Sequence, residues 1–255
     1  MHNRFIVTPF FLDEPYSELE SLAQADWLIN KPVLSNEDAR CRMSELHQPI
    51  SDFVMNTIAR SDRPVSIAGD CCATFGVLAG LQRAGINPTL IWLDAHGDFN
   101  TWETTPSGFV GGMPLAMLVG RGDQTMTKRI GLHPISETQV ILTDGRDLDL
   151  MEKQALAKSG VHHLVDSRFL LNHPLVANPP YLHFDVDIIN PNDAPAMSYC
   201  AQGGPSFVEL QAIFRSLAKT GRVVAVSMAA WNSKLDKDGH SRAVCMELLH
   251  SLIDI

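Results

Sequence analysis

Positive charge is in deficit in this chain. Its 255 residues carry 20 Lys and Arg against 29 Asp and Glu, a formal net charge of -9 at pH 7. Nucleic acid and anionic membrane surfaces are held by lysine and arginine, so neither is an expected partner. No apolar run approaches the roughly 20 residues that cross a bilayer. At the N-terminus, Asp13 and Glu14 follow Met1 too soon for a secretory signal. Cysteines are few: Cys41, Cys71, Cys72, Cys200 and Cys245, with no C-x-x-C among them. Such an odd, irregular set excludes a closed disulfide framework and points to a reducing cytoplasm. Internal repeats, linkers and low-complexity segments are also missing, so residues 1–255 are expected to form one domain.

What is present alternates. Apolar, β-branched runs predict strands at 5–10, 64–68, 89–94, 139–143, 161–165, 181–187 and 222–228. Helices are expected between them, at 18–28, 37–60, from about Phe75 past Leu81, at 114–119, after the polar turn 144–149 through Lys158, after Ser206, and at 241–253. Ser206-x-x-Glu209 is a capping box ahead of Phe207, Leu210, Phe214 and Leu217. Strand and helix in alternation predict a single-domain, three-layer α/β/α fold with a mostly parallel sheet.

Two strand ends stand out. Ile91-Trp92-Leu93 runs into Asp94-Ala95-His96-Gly97-Asp98, two carboxylates and an imidazole spaced two apart. Ligands in open α/β sheets bind at the carboxyl ends of strands. Carboxylate oxygens with one imidazole suit a divalent ion such as Mn²⁺. His183-Phe184-Asp185-Val186-Asp187 repeats the pattern, and an extended chain would put Asp185 and Asp187 on one side. Carboxylates facing a core are costly unless paired or bound to a cation. Acidic strand ends from two distant stretches suggest a shared pair of ions, one carboxylate of each stretch bridging them. The competing reading is a set of solvated turns and loop-capping aspartates.

Three segments, in order, resemble the ligand motifs of the ureohydrolase family, the arginases, agmatinases and formimidoylglutamases. Ala68-Gly69-Asp70-Cys71 is similar to its G-G-D-H, Asp94-Ala95-His96-Gly97-Asp98 matches D-A-H-x-D, and His183-Phe184-Asp185-Val186-Asp187 is similar to S-F-D-x-D. The likeness runs from about Asp38 to the C-terminus. It implies a parallel-sheet α/β fold and two Mn²⁺ ions per chain. One would be held by Cys71, Asp94, Asp98 and Asp185, and the other by Asp94, His96, Asp185 and Asp187. A water shared by two such ions ionises near neutral pH and attacks the guanidinium carbon, with Asp98 as the catalytic group that orients it and moves its proton. By the same likeness Asn100, Thr105 and Ser107 stand where arginases hold the substrate α-carboxylate, and Asp149 where they hold the α-ammonium. The implied substrate is a small guanidino compound with an amino-acid end. Family members often assemble, so the chain's own oligomeric state stays open.

The departures are specific. Cys71 replaces a histidine, and a thiolate is a softer ligand. Gly111 replaces a histidine that relays protons or positions substrate, and Ala230 falls near a glutamate that clamps the guanidinium. Losing that clamp disfavours plain arginine by several kcal/mol. The expectation is therefore hydrolysis of arginine or an analogue with a less basic guanidino group, such as Nω-hydroxy-L-arginine, to ornithine and urea or hydroxyurea. Arginase proper, agmatinase and guanidino-acid hydrolase are the alternatives within the class. A non-catalytic ureohydrolase-like binding protein is the alternative outside it.

Overall fold

A computed structural model describes residues 1–174 and 178–254. Among the described residues the strands are β1 (Asn3–Thr8), β2 (Phe10–Phe11), β3 (Glu14–Pro15), β4 (Leu28–Ile29), β5 (Arg63–Ala68), β6 (Thr89–Asp94), β7 (Val140–Asp144), β8 (His162–Leu164), β9 (Pro180–Asp185) and β10 (Ala225–Ala229). The α-helices among them are α1 (Ala39–Ala59), α2 (Thr74–Arg83), α3 (Pro114–Leu118), α4 (Thr125–Arg129), α5 (Leu150–Ala157), α6 (Phe207–Lys219) and α7 (His240–Ile253). Eight strands form one sheet in the order β4-β1-β5-β10-β9-β6-β7-β8, with every pairing parallel. β2 and β3 make a separate antiparallel ribbon.

Helices cover both faces. Leu90 and Trp92 of β6 point into a core shared with α1 and α2, whereas Ile91 and Leu93 point into one shared with α6 and α7. That is why β6 reads as an unbroken apolar run: a strand buried on both faces has no polar side to alternate. The cap ahead of α1 is Asp38, which accepts from Arg40 N and Cys41 N. The expected box Ser206/Glu209 opens α6.

Two local expectations fail. Residues 18–28 do not form an α-helix; Ser17–Leu22 is a 3₁₀ helix, and Leu28–Ile29 joins the sheet edge beside β1. Leu19 and Leu22, spaced three apart, both bury in the 3₁₀ turn. Trp27 stacks on Phe5 of β1 at 4.0 Å between ring centroids, which draws the following residues to the edge. The second failure concerns β9. The strand ends at Asp185, and Val186–Ile188 turns as a 3₁₀ helix, so Asp187 does not follow Asp185 in an extended chain.

Candidate active site

In the middle of the sheet, β5, β10, β9, β6 and β7 are neighbours. Because they are parallel, their carboxyl ends open on one crevice. Cys71 follows β5 in a short 3₁₀ turn, Asp94 ends β6 and Asp185 ends β9. Backbone approach there is close. A side chain at Gly69 would put its Cβ 2.2 Å from Phe10 O, and one at Gly97 would meet Glu152 Oε1 at 2.7 Å. Gly69, facing backbone, therefore requires glycine, whereas a side chain at Gly97 would have to displace the Glu152 and Leu148 side chains. Asp98 has φ 49, a left-handed conformation costly for most residues and often found at functional sites.

The acids converge in a cavity of about 510 Å³ lined by Cys71, Asp94, His96, Asp98, Asp185 and Asp187. Asp94 is 1% exposed, Asp98 5%, and Asp185 and Asp187 3% each. Cys71, Asp94 and Asp98 offer ligand atoms within 4.8 Å of one another, as do Asp94, His96 and Asp187. Asp94 belongs to both groups. Cys71 Sγ donates to Asp185 Oδ2 at 2.8 Å. His96 Nδ1 lies 2.9 Å from Asp187 Oδ2 and 3.4 Å from Asp94 Oδ1. Trp92 Nε1 donates to Asp94 Oδ2, and Asp187 N to Asp185 Oδ1.

Charge in this cluster is poorly compensated. No lysine or arginine lines the cavity among the described residues. Burial, then the charge on Asp94, pushes the Asp98 carboxyl well above the usual range. Burial, then Asp187, does the same to Asp185 and, less strongly, to Asp94. Burial, then Asp185, raises the Cys71 thiol. Burial opposes charge on His96, but hydrogen bonds to Asp187 and Asp94 outweigh it and push its pKa up to about 12. Asp98 Oδ2 has no hydrogen-bond partner among the described residues. Four buried carboxylates, a thiol and an imidazole, with an oxygen left orphaned, fit a pair of divalent cations. Ion binding would displace the proton on His96 and that on Cys71.

The polar wall also assembles. Asn100, Thr105, Ser107 and Asp149 line the same cavity. Asn100 Nδ2 donates to Asp149 Oδ2 at 2.9 Å, while Thr105 and Ser107 cross the mouth with their hydroxyls 3.3 Å apart. Asp149 is also the N-cap of α5, so lining and capping coexist. The positions of Gly111 and Ala230 lie in the wall too. A Cβ on Gly111 would sit 2.4 Å from Phe109 Cε1, so the Phe109 ring fills the place of a side chain there. Trp102 and Trp231 do not line the cavity: they donate to Asp123 and Asp236.

Four contributors escape the sequence reading. Glu152 accepts from Phe99 N at 2.8 Å and from Asp149 N at 3.1 Å, and burial raises its carboxyl to about 7. The spacing Asp149-x-x-Glu152, a capping box, is the signal that would have found it. Phe11 and Tyr199 flank Phe109, with centroids 6.3 and 5.3 Å away; neither carries a local signal. Arg146 spreads its guanidinium over Asp144 and the carbonyls of Asp187, Ile188, Ala201 and Gln202, and so fixes the turn that carries Asp187.

Comparison with known proteins agrees with this geometry. The model of the arginase family matches residues 16–254. The chain is 28% identical to an arginase of Bacillus subtilis over 240 residues, covering 88% of this chain and 81% of the relative. It is 30% identical to an arginase of Bacillus caldovelox over 233 residues, covering 84% and 78%. A crystal structure of arginase from Bacillus subtilis superimposes with a TM-score of 0.85 at 25% identity, covering 100% of this chain and 99% of that one.

Proposed function

The chain belongs to the arginase family, and from that premise we propose that it hydrolyses the guanidino group of arginine, or of an arginine analogue with a less basic guanidino end such as Nω-hydroxy-L-arginine. As a ureohydrolase it is a metal-dependent hydrolase of linear amidines. The observation that carries the proposal is the convergence of Asp94, Asp98, Asp185 and Asp187, all buried, on one cavity floor.

We assign two divalent ions to this floor, manganese first among them. Cys71, Asp94, Asp98 and Asp185 would hold one, and Asp94, His96, Asp185 and Asp187 the other, with Asp94 and Asp185 shared. Bound there, such a pair supplies a nucleophile from water near neutral pH. Asp98 Oδ2, free of other partners, takes the proton of the attacking water and returns it to the leaving amine. Water is consumed, one C–N bond breaks, and ornithine leaves with urea, or with hydroxyurea from the hydroxylated substrate.

The far wall reads the other end of the substrate. Asn100, Thr105 and Ser107 offer neutral donors to an α-carboxylate, and Asp149 offers an anion to an α-ammonium. Agmatine has no such carboxylate. Beside the guanidino end, Ala230 and Gly111 carry no charged clamp, and Phe109 and Tyr199 line the same cavity. A wall without that charged clamp suits a less basic guanidine better than the guanidinium of arginine.

Steady-state rates on arginine, Nω-hydroxy-L-arginine and agmatine with Mn²⁺ test the assignment. Hydroxyarginine or arginine should exceed agmatine by at least tenfold in kcat/KM. Agmatine as the best substrate would overturn the roles given to Asn100, Thr105, Ser107 and Asp149. No turnover of any of the three, with both ions bound, would favour a binding protein on the same fold.

A further inference from the structure

One imidazole beside the carboxylates has no part in the chemistry above. His183 lies in β9 two residues before Asp185, so the two side chains leave the same face of the strand. It is 0% exposed. Ser227 on the neighbouring β10 meets Nδ1 at 2.9 Å, and the Tyr181 hydroxyl meets Ser227 Oγ at 2.8 Å. The Trp92 ring rests against the imidazole, 4.0 Å between centroids. These contacts hold the ring in one orientation. Nε2 is buried with no hydrogen-bond partner among the described residues, and a buried polar atom left so is destabilising.

A nitrogen of this ring, Cys71 Sγ and an Asp185 carboxylate oxygen lie within 4.8 Å of one another. Atoms bound to one ion at about 2.0–2.3 Å stand roughly 3.3–3.8 Å apart at tetrahedral angles and further apart as the angle opens. With Nδ1 engaged by Ser227, Nε2 is the nitrogen left for that ion. We propose that His183 Nε2 is a ligand of the ion held by Cys71 and Asp185. The imidazole missing at position 71 is thereby supplied from β9. The two motif departures then compensate: cysteine stands where the family pattern has histidine, and histidine stands where it has serine. Ser227 and Tyr181 orient the ligand from behind.

This inference rests on the two-ion site proposed above and makes its two positions unlike. A thiolate, an imidazole and a carboxylate favour a softer ion, Zn²⁺ or Co²⁺, more than the Asp94, His96 and Asp187 group does.

The test counts Co²⁺ bound to the full chain by calorimetric titration and elemental analysis, in wild type, H183S and the double variant C71H/H183S. Wild type should bind two ions. H183S should keep one ion at wild-type affinity and weaken the other at least tenfold. C71H/H183S should regain it, because the imidazole returns from position 71. Should H183S fail to fold, X-ray absorption of Co²⁺-loaded wild type decides: two imidazoles per chain support the proposal. H183S holding both ions at wild-type affinity, or a single imidazole in wild type, would overturn it while leaving the two-ion site intact. A wild-type chain that binds no ion would remove both.

Discussion

Replacing Asp98 with asparagine should change stability in opposite directions with and without metal. Asp98 is 5% exposed, Oδ2 has no partner, and its nearest charged neighbours include other carboxylates. Without a cation, the folded state pays for a buried, uncompensated acid. An amide of the same shape removes that penalty, about 1–3 kcal/mol. Asparagine also tolerates the left-handed backbone that Asp98 adopts, so strain does not confound the comparison. For a chain of this size about 1 kcal/mol moves Tm by about 2–4 °C. D98N in chelator should therefore melt roughly 2–12 °C above wild type. With Mn²⁺ at a hundredfold excess over Kd, each bound ion adds about 2.7 kcal/mol to wild type. The variant loses a ligand and gains less, so its advantage should vanish or reverse, and turnover should fall by at least a hundredfold. Scanning calorimetry in chelator and in Mn²⁺ reads both signs. D98N less stable than wild type by the same amount in both conditions would show Asp98 to be an ordinary structural residue and refute the reasoning.

Two further perturbations probe the frame around the site. His47, buried in α1 against Phe75, is held neutral: burial drives its pKa from 6.5 down to about 3. Between these values the unfolded chain binds the extra proton, so stability is complete above about pH 6.5 and falls as pH drops toward 3. By pH 4.5 the loss is about 3 kcal/mol, and His47→Leu should abolish it in urea melts at pH 7.5 and 4.5; an unchanged acid limb would contradict it. Arg146→Lys should cost about 2–4 kcal/mol, because one ammonium cannot serve Asp144 and the carbonyls of the Asp187 turn together. It should also weaken the ion near His96 about tenfold in a metal titration, and an unaltered affinity would exclude Arg146 as the support of that turn.

Legibility in the sequence followed locality. β6 was readable to the residue, since an uninterrupted apolar run is what a strand buried on both faces must be. The capping box of α6 was readable because capping is a three-residue interaction. So was the crowding of acids at strand ends, because the cost of burying charge demands a purpose for each. The region 18–28 was not, because the stacking of Trp27 on Phe5 decides it and that contact spans the fold. Phe11, Phe109 and Tyr199 meet only after a ribbon and two loops have been placed. Arg146 sits in a recognisable turn, yet its value lies in carbonyls some 40 to 56 positions away. His183 was visible as a residue beside a motif; its orphaned nitrogen was visible only in three dimensions.

Crystals grown with Mn²⁺ and measured near the metal edge put the central claim to trial. The account predicts two anomalous peaks on the cavity floor, about 3.5–4 Å apart, with Asp94 and Asp185 touching both. A map without peaks there, or with those carboxylates turned toward other protein groups, would contradict it.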